Sequence, residues 1–87
     1  MHELGIAISL VEAVCDELPR LGDAVSIRSV RLRVGPWSGV APDALAFAFD
    51  VAAADTPIAG ARLDIEEADG TVLELAAVEV IDGPADC

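Results

Sequence analysis

The sequence predicts an α+β fold: a two-layer sandwich in which a three-stranded sheet carries two helices on one face, in the order helix, strand, helix, strand, strand. Three observations predict it. Apolar residues recur at three- and four-residue spacing over residues 3–18 and again over 42–54, and they alternate with polar residues over 25–34, 61–67 and 71–81. Two amphipathic helices need an apolar surface to cover, and a sheet with one apolar face supplies it. With 87 residues the chain can bury only about 60% of its unfolded surface, enough for one thin core and no deep active-site cavity.

The first helix is expected over 3–18. Leu4, Ala7, Ile8, Val11, Val14, Cys15 and Leu18 form its apolar stripe, with Glu12, Asp16 and Glu17 opposite. Glu3 suits the first turn of a helix electrostatically, and Pro19 and Gly22 are read as its end. In the first strand Val30, Leu32 and Val34 alternate with Ser29, Arg31 and Arg33, while Val25 and Ile27 have the opposite parity. Either a bulge near Arg28-Ser29 restores the facing, or those two residues belong to the approach. Gly35-Pro36-Trp37-Ser38-Gly39 reads as a loop whose glycines supply positive φ. Trp37 either covers an edge of the core or anchors an interface. Pro42 opens the second helix, which buries Leu45, Ala48, Phe49 and Ala52 and leaves Phe47 off the stripe. Asp55-Thr56-Pro57 stops it. Ala61, Leu63 and Ile65 point inward from the second strand, and Arg62, Asp64 and Glu66 point out. Asp69-Gly70 is read as the turn of a hairpin joining the second and third strands. Residues 1–82 are expected to form a single domain and 83–87 a loose tail.

The formal charge is −11, from sixteen acids against five basic residues, and all five are arginine. That balance excludes nucleic acid and anionic membrane as partners, since phosphate binding needs clustered basic charge. It favours cations or a basic protein surface, or serves only to keep a small apolar domain soluble. No apolar run reaches the roughly 20 residues of a membrane span, and the N-terminal stretch lacks the basic start of a secretory signal. A cytoplasmic location is expected. Cys15 lies on the first helix's stripe and Cys87 is the last residue; two such cysteines do not make a disulfide framework.

The remaining feature is the opening, Met1-His2-Glu3, with the chain's one histidine beside the α-amine. Amine, His2 amide nitrogen and His2 imidazole lie within chelating reach of one another, and the Glu3 amide or carboxylate can complete a set of four. Backbone nitrogens in square-planar geometry suit Ni(II) or Cu(II) and not Zn(II). The plain alternative is an exposed histidine at a frayed terminus.

The opening MHELGIAISLVEAVC resembles the start of the hydrogenase nickel-incorporation proteins, the HypA/HybF family of nickel metallochaperones. VRLRVGPWSGVAPDALAFAFDVAA is similar to that family's first strand, loop and second helix, GARLDIEE to its second strand, and GTVLELAAVEV to the strand that closes its sheet. The resemblance implies a protein that binds Ni(II) through Met1, His2 and Glu3. It would pass the metal to a GTPase partner and on to nickel-iron hydrogenase, or in some organisms to urease. The chain departs from the family in one respect. Members carry a zinc module with two cysteine pairs between the second and last strands; here Glu67-Ala68-Asp69-Gly70 joins them directly and there are no CxxC pairs. No structural zinc is expected.

An enzyme is not expected. With His2 the lone histidine, no Ser–His–Asp or Cys–His set can form, and the acid pairs Asp16-Glu17 and Glu66-Glu67 read as solvated charge. The alternative function is a metal-free interaction or assembly domain that kept the fold after losing the zinc module. In either case an exposed edge strand offers a route to oligomers.

Overall fold

A computed structural model describes residues 2–21 and 25–82. The elements follow the expected order: α1 (Glu3–Leu21), β1 (Val25–Val34), α2 (Pro42–Ala53), β2 (Arg62–Glu67) and β3 (Leu73–Asp82). β1 is the central strand, parallel to β2 and antiparallel to β3. Both helices lie on one face, so the expected two-layer α+β architecture is the observed one. No helix among the described residues is long and apolar enough to cross a membrane. Met1 and the expected tail 83–87 lie outside the described residues.

The core is filled from three sides. Ala7, Leu10, Val11 and Val14 come from α1, Leu45, Ala48, Phe49 and Ala53 from α2, and Ile27, Val30, Leu32 and Val34 from β1. The parity conflict in β1 resolves as a bulge: the pairing with β3 slips between Ile27 and Ser29, and Ile27 rejoins the buried face. A second slip falls between Arg31 and Leu32.

Several expectations need correction. α1 does not stop at Pro19 but runs to Leu21. Proline removes a single ladder bond so near a helix end, and Leu18 and Leu21 both gain packing against the core by continuing. The stripe also sits further round than expected: Leu10 is buried, while Leu4 and Ile8 are about half exposed. Ile58, in the connection between α2 and β2, is a fully buried core residue. Thr56 creates its niche: its hydroxyl donates to the Ala53 carbonyl at 2.6 Å and accepts from the Ile58 N–H at 3.2 Å. Asp55, at φ +64°, supplies the left-handed step that ends α2.

The largest correction concerns Asp69-Gly70. The turn is present, with Gly70 at φ +62° and the Val72 N–H bonded to the Asp69 carbonyl. It does not close a hairpin, because β1 lies between β2 and β3. The connection instead crosses over the end of β1, where the Gly35 N–H donates to the Val72 carbonyl at 2.7 Å and the Trp37 N–H to the Gly70 carbonyl at 2.8 Å. Gly35 is therefore set by close approach and not by φ: a Cβ there would lie 2.3 Å from the Gly70 carbonyl oxygen. Gly39, at φ +83°, does fit the expected positive φ.

The open face of the sheet carries the arginines as expected. Arg33 pairs with Glu74, Arg62 with Asp64 and Arg28 with Glu79. Ser29 donates to Glu79 at 3.1 Å. These pairs are solvent-exposed, and each is worth only about 0–1 kcal/mol.

Candidate metal centre

α1 begins at the second residue of the described chain. The His2 carbonyl accepts the first helical bond, from the Ile6 N–H at 3.0 Å, and the His2 side chain is exposed. The N–H groups of Glu3, Leu4 and Gly5 head the helix and have no carbonyl four residues back within it. The backbone nitrogens next to the imidazole thus stand outside the helical ladder, and a metal that displaces their protons breaks no ladder bond. The positive end of the helix dipole opposes a cation there, so such a metal must be held by its ligands.

Glu3 reaches across the molecule. Its Oε2 accepts from the Ala41 N–H at 3.1 Å, over a separation of 38 residues. Ala41 is the cap residue of α2, and no side chain of its own caps that helix. The two helices therefore start at the same end, joined by one carboxylate. The Ala41 N–H, and after it the residue's own N–H, hold the Glu3 carboxyl below its ordinary range. A carboxylate with a lowered folded-state pKa stabilises the fold above its unfolded pKa, and that contribution is lost as pH falls through the folded value. Glu3→Gln is expected to lower the thermal midpoint modestly at neutral pH, with a smaller difference at about pH 3, below the ordinary glutamate range. Melts of both proteins at the two pH values check this, and a deficit of the same size at both would contradict it.

Of the three expected ligand residues, the structure puts His2 and Glu3 next to each other at the head of α1; Met1 lies outside the described residues. Among the described residues no three His, Cys, Asp or Glu side chains gather as a metal site, so a site at this end depends on backbone nitrogen. Trp37 does not cover the core edge: it is 77% exposed, on the loop between β1 and α2. Beside that loop lies a hollow of about 400 Å³ lined by Val34, Pro36, Val40, Pro42 and Ile65, with Glu67 its one ionisable lining residue. It holds no pair of groups for acid–base work. Cys15 is a free thiol packed at the margin of the core. The Glu3–Ala41 contact was not expected from the sequence. Its only trace there is a helix that starts at Pro42 without Ser, Thr, Asp or Asn before it.

Fold and terminus together define a small two-layer α+β protein with a candidate backbone-and-imidazole chelate at the head of its first helix. The family described as "Hydrogenase/urease nickel incorporation, metallochaperone, hypA" matches residues 1–73. The chain belongs to that family. Among its relatives, the hydrogenase maturation factor HypA of Deinococcus radiodurans is 47% identical over 70 residues, covering 80% of this chain and 58% of that protein. The HypA of Streptomyces avermitilis is 43% identical over 70 residues, covering 80% and 53%. That of Roseiflexus sp. is 52% identical over 67 residues, covering 77% and 54%. The chain thus spans about half the length of these curated relatives. The solution structure of the Ni metallochaperone HypA from Helicobacter pylori superimposes with a TM-score of 0.63 at 21% identity, over 97% of this chain and 90% of that one. At that identity the likeness shows the fold. It extends over β3, of which the family match includes only Leu73.

Proposed function

We propose that this chain carries Ni(II) at its N-terminus and hands it on during the maturation of nickel-iron hydrogenase. The observation that carries the proposal is the exposed His2 at the head of α1, flanked by backbone nitrogens outside the helical ladder. The Met1 amine, the His2 amide and imidazole, and Glu3 would be the ligands, in the square-planar geometry that such nitrogens favour for Ni(II). The Glu3 carboxylate accepts from Ala41 and from its own N–H, so either Glu3 donor would exchange one of those contacts for the metal. Binding displaces protons from the amine and amide nitrogens and weakens in acid. An exposed terminal site opposed by a helix dipole suits release to the next protein. By family resemblance, that protein is a nickel-handling GTPase and the final recipient a hydrogenase, in the cytoplasm.

The two cysteines of this sequence fall short of the four thiolates of a closed structural zinc site, so no zinc bound by these residues is proposed. β3, a ten-residue edge strand, is the element through which copies would pair. The family match does not favour the alternative of a metal-free assembly domain. The amine is the group to test. Residues added before Met1 are expected to remove tight Ni(II) binding while leaving the circular dichroism spectrum unchanged. An extended protein that binds nickel as well as the unextended one would eliminate the amine as a ligand.

A further inference from the structure

The chain has three aromatic residues, Phe47, Phe49 and Trp37. Phe49 is fully buried, whereas Phe47 is 73% exposed. Leu45 and Phe49, two residues either side of it, are both buried; at about 100° per residue Phe47 points away from the core. Ala44 and Val51, three residues before and four after, lie beside it on one flank and are exposed. Asp43 and Asp50, four before and three after, lie on its other flank and are exposed as well. The ring thus sits on the seam between an apolar ledge and an acidic edge.

The charge of the whole helical layer continues that pattern. α1 exposes Glu12, Asp16 and Glu17, α2 contains no basic residue, and the single helical arginine, Arg20, is paired with Glu17. The other four arginines lie on β1 and β2, so nothing basic on α2 itself offsets Asp43 and Asp50.

We infer that the outer face of α2 docks a basic amphipathic helix of a partner protein, with Phe47 as the apolar anchor and Asp43 and Asp50 pairing with flanking lysines or arginines. A seam of this kind calls for an occupant with apolar and cationic side chains side by side. A second copy of the chain is a poor occupant, since a two-fold axis through this face would set aspartates against aspartates. Anionic membrane and nucleic acid are repelled by the same charges.

The test uses the full chain, isotopically labelled and nickel-free, titrated with a synthetic amphipathic leucine–lysine peptide and followed by NMR. Saturable one-to-one binding is expected, with the largest shifts over 43–51. Phe47→Ser should weaken it roughly tenfold, and the double change Asp43→Asn, Asp50→Asn severalfold. Both variants should melt as wild type does, since all three side chains are exposed. Shifts spread evenly over the acidic surface and indifferent to Phe47→Ser would mean charge attraction without a site, and would overturn the inference. So would concentration-dependent self-association that Phe47→Ser abolishes, because the occupant would then be a second copy.

Discussion

His2→Ala is expected to abolish specific Ni(II) binding, by at least about 100-fold in affinity, and to leave the fold intact. Losing an outer-shell partner of a metal ligand already costs about 10–100-fold, and His2 supplies the chain's one imidazole. Stability should hold because the side chain is exposed and precedes α1. Surface changes of this kind usually stay within about 0.5 kcal/mol, and neither histidine nor alanine is a strong helix cap. Isothermal titration of the variant, paired with a thermal melt, separates the two effects. An unchanged isotherm would remove His2 from the site.

Gly35→Ala is expected to be strongly destabilising. Its Cβ would meet the Gly70 carbonyl oxygen at 2.3 Å and the Asp69 carbonyl oxygen at 2.7 Å. Both are backbone atoms, so relief requires moving the connection that crosses the end of β1. That movement would break the Gly35–Val72 and Trp37–Gly70 hydrogen bonds. Overpacking of this severity costs about 2–3 kcal/mol, or roughly 10 °C or more in thermal midpoint for a domain of this size. A shift below about 2 °C in a circular dichroism melt would show that the crossing is not tight.

Much of this fold is legible in the sequence because its main determinants are local. The Pro42 start, the alternation in β1 and most of the α2 stripe each report on neighbouring residues, and the structure follows them, except that Ala53 and not Ala52 is the buried end of the stripe and that Leu63 and Ile65 of β2 are only partly buried. Even the bulge in β1 was visible as a parity break at Arg28-Ser29. Features set by distant residues were not legible. Asp69-Gly70 signals a turn, yet nothing local says that β1 lies between the strands it joins. Leu4 and Ile8 have the right spacing for a core stripe, but their burial depends on what α2 and the sheet leave uncovered. Ile58 gave no periodic signal because it lies in an irregular connection. At the candidate site, His2 and Glu3 could be named from chelate chemistry alone. The Glu3–Ala41 bond could not, because its donor is a backbone N–H 38 residues away.

Calorimetric titration of Ni(II) into the untagged protein near neutral pH, with visible absorption and proton release followed together, tests the nickel proposal most directly. The expected result is one ion per chain, a square-planar absorption band and the release of protons as the amine and amide ligands form. Binding no tighter than that of a generic acidic peptide, with neither band nor proton release, would contradict it.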